Sequence, residues 1–232
     1  MAMHRNKKRK AFALWILTKM AMLFFIFALA GIMLAMRAAQ EQSACDTQAQ
    51  NVANLVAAKV TQLLFSPAED ERQALAFTST LPVGVGGTKY AVNASYRMNA
   101  TGNAYLSFHV KSLFGGSCSG SNSVSLGQAH RFAVIFKNAN GMRRAMDRDA
   151  IQFTPSAVFD QNSALNKRSM FAMLLKCGEK RPGGREYLFV EDCREDAIDG
   201  CSDLMFDVLN NVVDACCGWN HPQSDCDNFF PP

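Results

Sequence analysis

The chain has 232 residues, a formal net charge of +4, 49% hydrophobic residues and eight cysteines. That apolar content and cysteine count exclude a disordered protein, and the length allows one large domain or two small ones. A charge of +4 is too mild to announce a nucleic-acid binder, and no nucleic-acid partner is expected.

The charge is unevenly placed. Residues 1–10 form a basic leader with Arg5, Lys7, Lys8, Arg9 and Lys10 and no acid. Residues 11–36 follow as a 26-residue apolar run broken only by Thr18 and Lys19. About 20 apolar residues in a helix cross a hydrocarbon core, so this run predicts a transmembrane helix in contact with membrane lipid. A cleaved secretory signal has a shorter apolar region and a small-residue site at its end. Here Met36-Arg37 closes the run, and a retained anchor is expected. Basic residues before a span mark its cytoplasmic side. The expected protein is therefore single-pass, with a cytoplasmic N-terminus and an extracytoplasmic C-terminal region. Residues 1–37 carry seven basic residues and no acid, while the remaining 195 carry 17 basic and 20 acidic residues, net −3.

Lys19 is an ionisable group inside the apolar run. Its stem can snorkel to the headgroups, or its ammonium can pair with an acid on a partner transmembrane helix. Residues 37–66 read as an amphipathic continuation of the helix, with Val52, Leu55, Val56, Val60, Leu63 and Leu64 on one face. Ser66-Pro67 ends it, because proline disfavours helix in the residue before it.

Over 67–140 the period becomes that of strands. Residues 74–80 form a candidate strand, and Pro82, Gly84, Gly86 and Gly87 read as a turn. Residues 89–98 and 104–110 alternate around a hairpin turn at Gly102. Residues 114–128 are rich in Gly and Ser and read as a loop, and 131–137 are a last apolar strand before Asn140-Gly141. Together these predict an antiparallel meander of about four strands. Residues 141–232 form a cysteine-rich C-terminal region. Arg143, Arg144, Asp147, Arg148 and Asp149 read as a solvated charged face. Residues 163–175 admit helix or strand, 181–184 a turn, 187–190 a short strand and 203–216 a helix. The fold class expected is α+β: a long N-terminal helix packed on an antiparallel meander, with a disulfide-rich C-terminal segment.

All eight cysteines follow the anchor: Cys45, Cys118, Cys177, Cys193, Cys201, Cys216, Cys217 and Cys226. An even count confined to an exported region predicts disulfides, although eight cysteines allow 105 pairings. No Cys-x-x-Cys pair occurs, so zinc and redox-thiol readings are disfavoured. Of the four histidines, His4 lies in the leader, His221 stands alone, and His109 and His130 fall where neighbouring strands could bring them together. Glu191, Asp192, Glu195, Asp196 and Asp199 read as a solvated acidic loop rather than a calcium site. No phosphate-binding glycine loop or nucleophile elbow is present. No catalytic residue, metal or cofactor is expected, and the chain is read as a non-enzyme. Two N-glycosylation patterns occur, at Asn93 and Asn99, and the turn position of Asn99 is the better acceptor.

A basic leader, an apolar helix with an amphipathic continuation, a meander and a disulfide-closed C-terminus resemble the type IV pilin-like family, including archaeal pilin-like proteins. The local match is Arg9-Lys10-Ala11-Phe12. The resemblance implies leader cleavage between Ala11 and Phe12, an N-terminal helix that anchors the subunit and supports self-assembly, and an outward-facing head. Position 16, where the family often has Glu, is Ile. The function expected is a pilin-like structural or adhesive cell-surface protein. The alternative is an uncleaved bitopic protein with a ligand-binding or complex-assembly ectodomain.

Overall fold

The computed structural model describes residues 2–66, 72–79, 81–82, 84–113, 118–129, 132–138, 141–153, 170–177 and 186–191. The chain divides into two units, Met1–Ala44 and Cys45–Pro232. One helix, α1 (Ala2–Phe65), supplies the described residues of the first unit and the opening segment of the second. No proline or glycine occurs between Ile32 and Ser66, which removes the usual causes of a break. At its end Ser66 N donates to Leu63 O at 3.3 Å and Ser66 Oγ donates to Gln62 O at 2.7 Å, so two terminal carbonyls are satisfied.

In the first unit, every described side chain from Trp15 to Ala44 except half-buried Gln42 is exposed. Trp15, Leu17, Phe24, Phe25, Phe27 and Leu34 are each more than half exposed. A helix that is apolar all round and unburied belongs in a nonpolar surrounding. α1 is long and apolar enough to cross a membrane, with a mean hydropathy of 2.2 in its most apolar window and none of that window buried.

The second unit is α+β. Its strands are β1 (Arg72–Ser79), β2 (Tyr90–Met98), β3 (Asn103–Ser112), β4 (Ser119–Gln128), β5 (Phe132–Asn138), β6 (Gly141–Arg144), β7 (Ala150–Phe153), β8 (Met170–Cys177) and β9 (Glu186–Glu191). They form two sheets, β4-β3-β2-β7 and β1-β8-β9-β5-β6. The first is wholly antiparallel, and β2-β3-β4 is a true meander. Its inner face buries Tyr90, Val92, Ala94, Tyr96, Leu106, Phe108, Val110 and Val124. These meet Ala49, Val52, Ala53, Val56 and Val60 of α1 in one core.

Three expectations need correction. The expected meander is split: strands β1 and β5 belong to the second sheet, where β8 and β9 pair with them. Local alternation fixes which face a strand buries but not which distant segment it meets. β5 pairs with β9 in parallel, and all of Phe132–Phe136 and Tyr187–Val190 are buried. Such continuous apolar runs suit strands covered on both faces. Second, the Ser- and Gly-rich stretch expected as a loop contains the ten-residue strand β4. Its serines face outward and Val124 and Leu126 inward, so alternation is present but muted. Third, Leu55 is 39% exposed, and α1 buries Ala49, Ala53 and Ala57 instead. A close helix–strand approach, described next, favours small residues there.

Two tight turns match their sequence signals. Val85 and Thr88 exchange backbone hydrogen bonds around Gly86-Gly87, both at positive φ. Gly102, at φ 78°, turns β2 into β3. Strand β8 resolves the open reading of 163–175 within its own residues. The expected turn at 181–184 and the helix at 203–216 lie outside the described residues.

Candidate interaction surface

The four-stranded sheet has two edges, and one of them is β4. An edge strand presents unpaired backbone groups. Here α1 supplies their partners. Ser119 N donates to Asp46 Oδ1 at 3.0 Å. Ser121 N donates to Gln50 Oε1 at 3.2 Å, and Gln50 Nε2 donates to Ser121 O at 2.9 Å. The Gln50 amide thus bonds Ser121 as a neighbouring strand residue would. Asn122 Nδ2 donates to Asn54 Oδ1 at 2.9 Å, while Ser123 N donates to Asn122 Oδ1 at 2.7 Å. Asp46, Gln50 and Asn54 recur every four residues, about 6.0 Å along a helix. Alternate strand residues recur every ~6.8 Å. The two spacings are close enough for a helix face to serve a strand edge.

This seating requires glycine at position 120. A Cβ there would lie 2.5 Å from the Ala49 carbonyl carbon and from Gln50 Cα, both backbone atoms. Immediately before it, Cys45 and Cys118 form a disulfide with a Cα–Cα distance of 5.5 Å, bridging 73 positions of sequence. The Gly86 turn lies against the sulfurs, and Gly86 N donates to Gln48 Oε1 at 2.8 Å. Beside this turn is an open hollow of about 370 Å³, lined by Gln48, Asn51, Val52, Leu55, Pro82 and Val85 among others, with no titratable group among the described residues.

The outer face of the same sheet is polar. It carries Asn93, Ser95 and Arg97 on β2, Tyr105, Ser107, His109 and Lys111 on β3, alternate serines on β4 and Gln152 on β7. The four strands contain no Asp or Glu. Under them, Tyr90 is fully buried and its hydroxyl donates to Pro82 O at 2.7 Å. Burial pushes the Tyr90 phenol well above its usual range.

The residues singled out in the sequence distribute as follows. Cys45 and Cys118 are joined, Cys177 ends β8, and Cys193, Cys201, Cys216, Cys217 and Cys226 lie outside the described residues. Ala11 and Phe12 are helical. Lys19 Nζ lies 6.0 Å from the Trp15 ring centroid. Asn93 is exposed in mid-strand, opposite His109 and Gln152. Asn99 opens the β2–β3 turn, where its Oδ1 accepts from Thr101 N, Thr101 Oγ1 and Asn103 N at 3.1, 2.8 and 2.8 Å. His109 faces Asn93 and Ser121 across its neighbouring strands, and His130 lies outside the described residues, as do His221 and the acidic residues 192–199. Among the described residues no group of three His, Cys, Asp or Glu side chains could hold a metal ion. Asp147 and Asp149 do more than solvate a surface: Met98 N donates to Asp147 Oδ1 and Met146 N to Asp149 Oδ2, at 2.8 and 2.9 Å. The sequence reading missed Asp46, Gln50 and Asn54. Their four-residue spacing on the polar side of an amphipathic helix was the available signal.

No family model matches the chain, and neither do the curated proteins or the solved structures with which it was compared.

Proposed function

We propose that this chain is a membrane-anchored, pilin-like surface protein, structural or adhesive in role, whose α+β head lies outside the cytoplasm. The observation that carries the reading is the unburied apolar stretch of α1 in the first unit, taken with the separate hydrophobic core of the second. The Cys45–Cys118 disulfide supports an oxidising compartment for the head. The five basic residues before the apolar run support a cytoplasmic N-terminus. The anchor partitions into lipid, and self-assembly through the same helix follows from the pilin-like resemblance. The test is peptide mapping of protein recovered from intact cell surfaces. Head peptides released by external protease and a new N-terminus at Phe12 are expected. A head that stays protected until cells are lysed would overturn the orientation, and an intact Met1 in every fraction would overturn the processing.

A second reading, an uncleaved bitopic protein with an assembly ectodomain, draws on Lys19 and Trp15. An intramembrane ammonium can bind an acid on a partner helix. The pairing of Lys19 with the Trp15 ring equally suits a site at the membrane interface, where Trp and snorkelling Lys collect. A partner that co-purifies in detergent and is lost on Lys19→Leu supports the second reading; unchanged co-purification refutes it.

A further inference from the structure

The outer face of the four-stranded sheet carries cations, and none of its four strands contains an acidic residue; Asp147, outside the strands, accepts from Met98 N at the end of β2. Lys89, just ahead of β2, and Arg97 within it are exposed, as are His109 and Lys111 on β3. They share one face because strand residues of the same parity point the same way. Their order along the strands follows the pairing. Leu113 N donates to Lys89 O, Lys111 faces Ala91, His109 faces Asn93, and Arg97 faces Tyr105. Lys89 and Arg97 stand about 27 Å apart at ~3.4 Å per residue. Between them lie Asn93, Ser95, Ser107 and the half-buried Tyr105. Among the described residues none of the four basic side chains pairs with a carboxylate. The exported region as a whole is net −3, so this row runs against its surroundings.

We propose that this row is the binding surface of the head, and that its occupant is an acidic polysaccharide lying along β2 and β3. Charge complementarity selects a polyanion. The intervening groups select among polyanions. Hydroxyls and carboxamides suit a chain of sugar hydroxyls, whereas single-stranded nucleic acid asks for a series of aromatic platforms. One tyrosine is present here. The inference deepens the adhesive reading of the head, but its test does not depend on which side of a membrane the head occupies.

The experiment uses the full-length protein in nanodiscs of neutral lipid. Binding to polygalacturonate and to heparin is measured against neutral dextran, with oligothymidylate as competitor. The basic leader could also attract a polyanion, so two variants are compared. One carries Lys89→Gln, Arg97→Gln and Lys111→Gln; the other replaces Arg5, Lys7, Lys8, Arg9 and Lys10 by Gln. The first is expected to lose about tenfold in affinity, as three exposed charge contacts of ordinary strength would. It should also show a shallower dependence on salt. The leader variant should bind as the parent does. Hydrogen exchange of the parent should show ligand protection over 91–97 and 105–111, which does not depend on any variant folding. Binding lost only with the leader, protection elsewhere, or stronger binding of oligothymidylate than of either polysaccharide would overturn the proposal. So would a glycan on Asn93 of the native protein, because it would cover the middle of the row.

Discussion

The contact between α1 and β4 predicts the effect of one methyl group. Gly120→Ala places a Cβ against the backbone at Ala49 and Gln50, which cannot rotate away as a side chain end would. The helix must retreat from the strand. Overpacking of this kind costs about 1–3 kcal/mol. Retreat also weakens the bonds of Asp46 to Ser119 and of Gln50 to Ser121, each worth about 1 kcal/mol. A total of roughly 3–5 kcal/mol corresponds to a fall of about 10 °C in Tm for a unit of this size. Gly102→Ala is the control. Nothing lies within 4 Å of a Cβ there, so only the positive φ of 78° is strained, and about 1 kcal/mol is expected. The assay is thermal unfolding of the full chain in detergent, with hydrogen exchange read at Ser119 and Ser121. Faster exchange at those amides and a loss well above the control are expected. A Gly120→Ala protein that keeps its protection and falls within 0.5 kcal/mol of the parent would refute the seating of α1 on β4.

Three further outcomes follow from the same region. Replacing Cys45 and Cys118 together by Ala should cost about 4 kcal/mol in denaturant unfolding, the loop-closure value for a bridge of this span. An unreduced peptide map of the native protein should recover the 45–118 crosslink. Gln50→Ala leaves Ser121 N and Ser121 O without their side-chain partners, so a loss of about 1–2 kcal/mol and deprotection of Ser121 are expected. Tyr90→Phe should cost about 1 kcal/mol near neutral pH through the bond to Pro82 O. The pH dependence has a defined sign. The folded pKa of Tyr90 is raised above the ordinary value of 10.0, so its contribution is complete below pH 10 and declines above it, as the unfolded chain ionises first. The parent should therefore lose up to about 1.4 kcal/mol per pH unit above 10 relative to Tyr90→Phe, and parallel pH profiles would count against this account.

Much of this was legible in the chain. The alternation in 89–98 and 104–110 is a local pattern that reports which face is buried, and the apolar run of 11–36 is a local pattern that reports a helix long enough to cross a membrane. The turns at Gly86-Gly87 and Gly102 were legible because positive φ selects glycine. What escaped was non-local. The choice of β8 for β1, and of β9 for β5, depends on chain closure over long separations. Strand β4 escaped because its serines satisfy no strand propensity scale, and the strand is held by β3 and by side chains of a helix more than sixty residues away. Leu55 also escaped, since it is 39% exposed while Ala49, Ala53 and Ala57 are buried. A disulfide between Cys45 and Cys118 was one of many pairings until the helix and strand were seen together.

The helix that closes the β4 edge works like a vernier. Its graduations of about 6.0 Å run against strand graduations of ~6.8 Å, so the two scales drift by about 0.8 Å at each rung. At the first two rungs Asp46 and Gln50 reach the strand backbone directly. At the third, Asn54 reaches only the Asn122 side chain, which relays to Ser123 N. A fourth rung would fall at position 58, where the chain has alanine. In this contact the helix stands in for a missing strand over three rungs, and the direct bonds give way to a relayed one where the accumulated offset reaches about 1.6 Å. The length of edge shielded this way is therefore set jointly by the phase between the two scales and by which side chains the helix offers at each rung.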